Sequence, residues 1–125
     1  MRLHTSSGRH KLIVLFSDRC GICIEQLNTF NRDFYVHPFL DIVFLTTDVN
    51  FLINHRSDRW PSLSGHAQVI FGVVKRSAFR KAFGTLITPS FYLFDHKGTL
   101  VWRKRGRASF DYINKILLAG NSDKN

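Results

Sequence analysis

Cys20 and Cys23 are the only cysteines in the chain, and just Gly21 and Ile22 separate them. The stretch before them, Lys11 to Phe16, is continuously apolar and rich in β-branched residues, short enough to be a strand buried on both faces. After them, Ile24, Leu27, Phe30 and Phe34 continue the spacing of three and four that the cysteines begin, the apolar stripe of an amphipathic helix. The pair therefore falls where a buried strand hands over to a helix N-terminus. Free N–H groups and the positive end of the helix dipole stabilise a thiolate there, which predicts a lowered pKa and a nucleophilic Cys20. Cys23, one turn further on, is placed to attack a mixed disulfide on Cys20 and release a product thiol. Two other uses of the pair compete with this one. A structural zinc site needs four Cys or His ligands, and the six histidines show no paired spacing that would complete one, so no metal is expected. Two inert thiols on a buried helix face are the other, since free cysteine is a common core residue.

The elements that must hold the pair can be read in order. Ser17 or Asp18 is the expected N-cap, and the helix should end by His37 because Pro38 disfavours helical geometry before it. Asp41 to Thr46 reads as a second buried strand, with Asp48 and Asn50 as turn formers. Phe51 to Val74 reads as an insertion, irregular as far as His66, with Gln68 to Val74 either a short strand or a helix start. Ser77 to Phe83 has helical spacing stopped by Gly84. Ser90 to Phe94 and Thr99 to Lys104 form a hairpin turned at His96, Lys97 and Gly98, and Phe110, Ile113, Leu117 and Leu118 mark a closing helix. The order is β-α-β-(insertion)-α-β-β-α. Pro89 stands just ahead of the third strand, where either peptide isomer is tolerated.

With 125 residues and 44% hydrophobic content the chain has enough apolar surface for one core, which excludes intrinsic disorder and a repeat array. Two cysteines exclude a disulfide-dense mini-protein, and no apolar run approaches the roughly 20 residues of a membrane span. The net charge of +9 is uneven: Met1 to Ser62 carries seven bases and six acids, Leu63 to Asn125 eleven bases and three acids. Arg103, Lys104, Arg105 and Arg107 are the densest piece. Such a cluster is either a solvated face or a dock for an acidic protein or an anionic membrane surface. Nucleic acid is not an expected partner, because no motif sets a helix or sheet against a groove. Residues 1–10 lack the apolar region of an intact secretory signal and read as a flexible lead-in.

Taken in order, KLIVLFSDRCGIC, the strand ending in TTDVN, and AFGTLITPSFYLFDHKGTLVWRKRG resemble the thioredoxin superfamily over about Lys11 to Leu118. The resemblance implies the thioredoxin fold, an α/β domain over residues 11–120 with a central mixed sheet flanked by helices, the insertion at about 51–74, and a flexible tail at 121–125. It further implies a thiol–disulfide oxidoreductase, without a cofactor, in which Cys20 attacks and Cys23 resolves. Pro89 would be a cis-proline packed against the disulfide and Thr88 would bond a bound peptide, with Arg19, Gly21 and Ile22 completing the substrate contact. The partners implied are a protein disulfide substrate and a separate thiol reductant, and the chain is expected to act as a monomer. The insertion and the DRCGIC flank look most like exported thioredoxin-like reductants of the SoxW and TlpA type, which implies a periplasmic or otherwise exported setting, although the CxxC alone fits a cytoplasmic one as well.

The chain also departs from that pattern. Arg19 and Ile22 replace the usual Trp and Pro, and Arg19 should favour the Cys20 thiolate by charge attraction. Val14 stands where the family carries a buried Asp, so Asp48, Glu25 or water is expected to accept the proton of Cys23. The alternative function is a thioredoxin-fold binding module that docks an acidic partner through the basic C-terminal half, its cysteines incidental.

Overall fold

A computed structural model describes residues 8–33, 40–84 and 86–122, with side chains as far as Leu117. The strands are β1 (His10–Leu15), β2 (Leu40–Thr46), β3 (Val69–Val73), β4 (Ser90–Phe94) and β5 (Leu100–Arg105). The helices are α1 (Gly21–Asp33), α2 (Asn50–Ile53), α3 (Pro61–Ser64), α4 (Arg76–Phe83) and α5 (Phe110–Ser122), with a single 3-10 turn over Arg56–Arg59. The five strands form one mixed sheet in the order β3-β2-β1-β4-β5. β1, β2 and β3 run parallel, while β4 is antiparallel to both β1 and β5.

The central position of β1 follows from its sequence. Leu12, Val14 and Phe16 feed one core while Ile13 and Leu15 feed a second, so both faces are apolar and both are covered. On the first face lie Leu27 and Phe30 of α1 and Phe110, Ile113 and Leu117 of α5. On the other, α4 sets Phe79 against Tyr92 and Phe94. Two glycines serve where a side chain would strain the backbone: Gly84 closes α4 at φ 77°, and Gly98 turns the β4–β5 hairpin at φ 84°.

The stretch read as an insertion is more ordered than its composition suggested. Its turn-forming residues build α2, the 3-10 turn and α3, and its end is β3, paired in parallel with β2 from Ile42↔Val69 to Thr46↔Val73. Phe51, Trp60 and Leu63 are fully buried in the first core. The Ser, Asn and Pro content marked local turns correctly, but burial of these three large side chains is a tertiary effect without a period to reveal it. β1 begins at His10, one residue before the expected Lys11, and α5 runs through Ser122 into what was read as tail. The expected helix end at His37, the Phe34 contact, most of the N-terminal lead-in and residues 123–125 lie outside the described residues.

Candidate functional site

The chain leaves β1 with Phe16 still bonded across the sheet to Leu45 (2.9 Å), then turns sharply: the Cys20 N–H reaches the Ser17 carbonyl at 3.2 Å and the Arg19 N–H the Ser17 Oγ at 3.3 Å. The Cys20 carbonyl accepts the first helical bond, from Ile24 at 3.0 Å, and the Cys20 Sγ accepts the Cys23 N–H at 3.4 Å. Cys20 is therefore itself the N-cap of α1, a correction to the expected Ser17 or Asp18. Its sulfur takes one of the helix's free donors, the arrangement that favours a thiolate.

The two thiols are free and differ in environment, Cys20 partly exposed and Cys23 fully buried. Burial opposes charge on Cys20, but hydrogen bonds from the Cys23 thiol, the backbone of Cys23 and Ile22, and the Thr88 side chain outweigh it, and its pKa lies below the ordinary 9.0. Burial pushes the Cys23 thiol up to about 11; its hydrogen bond to Cys20 and that sulfur's charge add to the rise, and bonds from the Ser17 backbone and Thr88 offset part of it. One cysteine is held ready to ionise and its neighbour is held protonated.

Thr88 touches both sulfurs, which brings the Thr-Pro step beside the cysteines although 64 positions separate Thr88 from Ile24 on the far side of the pair. The Thr88–Pro89 peptide bond is cis, Pro89 is buried, and its carbonyl accepts the Gly106 N–H at 2.8 Å. The Ser90 hydroxyl donates to the Ile87 carbonyl and fixes the start of β4. Around Cys20 the surface is open: Gly21 and Arg19 are exposed, a Cβ on Gly21 would meet nothing within 4 Å, and Ile22 and Ile87 present half-exposed apolar side chains.

Arg19, next to Cys20 in the chain, is exposed. Its charge bears on Asp48, whose carboxyl is held below the usual range mainly by the Asn50 N–H and by Arg56. Asp48 accepts from Arg56 at 2.6 Å, and Glu25 accepts from Arg107 at 3.0 Å, so both acids expected as bases for Cys23 are already engaged by arginines. Arg56 was not foreseen as part of the site. It also reaches Asp18 at 3.0 Å, whose side chain is 6% exposed, and so ties the insertion to the turn that carries Cys20. No periodicity or motif singles out an arginine in that stretch. Among the described residues no three His, Cys, Asp or Glu side chains converge as metal ligands, and no helix is long and apolar enough to cross a membrane.

No family model and no curated protein matches this chain in sequence. In structure it matches well. A putative thioredoxin from Neisseria meningitidis superposes with TM-score 0.71 at 17% identity, over 94% of this chain and 79% of that one. MTB DsbF, solved in mixed oxidized and reduced forms, gives TM-score 0.69 at 17% identity over 90% and 81% of the two chains. The exposed lipoprotein thioredoxin of Streptococcus pneumoniae gives TM-score 0.61 at 18% identity over 90% and 85%. The five-stranded mixed sheet with helices on both faces is the thioredoxin fold.

Proposed function

We propose that this protein is a thioredoxin-superfamily thiol–disulfide oxidoreductase that reduces protein disulfides through Cys20 and Cys23. The observation that carries the reading is the asymmetry of the pair: a partly exposed sulfur capping α1 with a lowered pKa, next to a buried thiol held protonated up to about pH 11. In the forward reaction the Cys20 thiolate attacks one sulfur of the substrate disulfide, forming a mixed disulfide and expelling the other sulfur as a thiolate. That leaving thiolate takes up the proton that Cys23 gives up. The Cys23 thiolate then attacks Cys20, the Cys20–Cys23 bond forms, and the second substrate thiolate leaves. Two electrons pass from the protein dithiol to the substrate, and a separate thiol donor restores the reduced pair. Glu25 and Asp48 are engaged by arginines, so in this reading the substrate's leaving thiolate accepts the proton, which makes resolution by Cys23 the step most sensitive to that thiol's basicity.

Arg19, Gly21, Ile22, Thr88 and Pro89 form the substrate contact in this reading. The rim of Ile22 and Ile87 would cover apolar side chains flanking the target disulfide. An exported setting is supported by the likeness to the exposed lipoprotein thioredoxin. The test is a redox titration of the reduced protein against glutathione and dithiothreitol, read by the mass shift on alkylation. A two-electron transition with a midpoint near ~−270 mV or below is expected for a reductant, whereas ~−120 mV would make the protein an oxidant. Absence of a Cys20–Cys23 disulfide at every poise, or full disulfide reductase activity in Cys20→Ser, would refute the reading.

A further inference from the structure

A cleft of about 700 Å³ lies away from the cysteines, between α1, β5 and the start of α5. Its walls carry Trp102 and Tyr112, whose rings lie 5.9 Å apart at 50°, and its rim carries Lys104 and Arg107. We propose that this cleft is a docking site for an acidic peptide segment of a partner protein, with an apolar or aromatic side chain anchored against Trp102 and Tyr112 and carboxylates on Lys104 and Arg107.

The cleft is built rather than incidental. The buried Gln26 side chain donates to the Ala108 carbonyl at 2.7 Å and accepts the Ala108 N–H at 2.9 Å, which fixes the loop between β5 and α5 against α1. The Ser109 hydroxyl accepts the Tyr112 N–H at 3.1 Å and holds the first turn of α5 beneath the ring. The recess is thus shaped by the chain's own hydrogen bonds, and its size is that of sites which enclose a few residues or a small molecule.

Its electrostatics select the occupant. Glu25 is the one acid in the lining, and it is engaged by Arg107 in a pair whose side chains are 65% and 64% exposed, so an incoming carboxylate can compete for that arginine at small cost. The cleft also belongs to the half of the chain that supplies eight of the nine net charges, which attracts an acidic partner over distance. A membrane surface fits less well. The strand alternates Trp102 and Lys104 with Arg103 and Arg105, and the latter two act on Tyr92, which packs in the core beneath the other face of the sheet. The basic cluster is split between two faces and partly recessed, whereas an anionic bilayer is met best by coplanar cations. The paired aromatic walls favour a peptide with an apolar anchor over a free anion.

The proposal does not depend on redox chemistry, and it is tested on the full chain carrying Cys20→Ser and Cys23→Ser. Of the two tryptophans Trp60 is buried and Trp102 lines the cleft, so tryptophan fluorescence reports on this site. Titration with the peptide Glu-Glu-Phe-Glu-Glu should give a saturable change that disappears in Trp102→Phe and weakens as salt rises. Lys104→Gln and Arg107→Gln should each weaken binding about two- to fivefold, the range of single exposed charge pairs. Equal binding of Gln-Gln-Phe-Gln-Gln, binding unchanged in both charge variants, or displacement by inorganic phosphate at the same concentration would overturn it. So would binding to anionic phosphatidylserine vesicles with none to the peptide. Circular dichroism of each variant separates loss of binding from loss of fold.

Discussion

Iodoacetamide added to the reduced protein at pH 8 is expected to mark Cys20 well before Cys23. With its pKa raised to about 11, Cys23 is ionised to roughly 0.1% at that pH. Cys20, lowered below 9.0, is ionised to more than roughly 9%. The thiolate populations therefore differ by about a hundredfold. The more basic thiolate is intrinsically more reactive, with a Brønsted slope of about 0.4–0.5, which returns about a factor of ten over two pKa units. A rate ratio of at least about ten remains, and the full burial of Cys23 against the partial exposure of Cys20 can only widen it. The assay is peptide mapping by mass spectrometry after timed alkylation between pH 6 and 10. The Cys20 rate should level off below pH 9, while the Cys23 rate keeps climbing about tenfold per unit through pH 10. Equal labelling of the two at pH 8, or a Cys20 rate still climbing steeply above pH 9, would show that the asymmetry of the pair is wrong.

Three further outcomes are expected. Thr88→Val removes a hydrogen bond that lowers the pKa of both thiols, so the alkylation profiles of Cys20 and Cys23 should both move to higher pH while the far-UV spectrum stays the same. Arg56→Met strands the buried Asp18 carboxylate and should lower Tm by several degrees, and adding Asp18→Asn should recover most of that loss; if the double variant is no better than the single, the pair does not couple. Trp60→Ala deletes a side chain that is 1% exposed, together with its 2.8 Å bond to Asn28, and should cost about 3 to 5 kcal/mol in urea denaturation, whereas a loss under about 1 kcal/mol would mean that the insertion is not part of the core.

Much of this architecture could be read from the chain because local patterns and tertiary roles agree. The run Leu12 to Phe16 has no polar residue to turn outward, so it can only be a strand covered on both faces, and it lies at the centre of the sheet. Gly84 and Gly98 each mark a backbone turn that few other residues adopt, and each closes the element expected. The position of the cysteine pair at the start of a helix followed from the change of period at Ser17. What the sequence could not disclose are contacts between distant segments. The N-cap went to Cys20 because Asp18 is drawn away to Arg56, 38 positions later, and no local rule carries that information. The same holds for Arg19, whose charge also acts across the site on Asp48. Gln26 gives no sign that it will meet Ala108, and the cleft that they shape is invisible in composition, which shows only that the second half is basic.

The column of rings through the insertion has a consequence for how the domain opens. Phe71 of β3 stacks on Phe44 of β2 at 4.9 Å and 16°, and lies close to parallel with Trp60 at 6.3 Å and Phe51 at 5.9 Å. Stacked rings shared between two segments lose their contacts together, so the insertion and the sheet should form one cooperative unit and not a core with a detachable flap. In hydrogen exchange the amides of β3 should then be lost in the same event as those of β2, and a protease should find no early cut within residues 51–74. A shortened version that excises this segment would be left with a solvent-facing Phe44 along the flank of its own sheet, a surface more prone to self-association than to clean refolding.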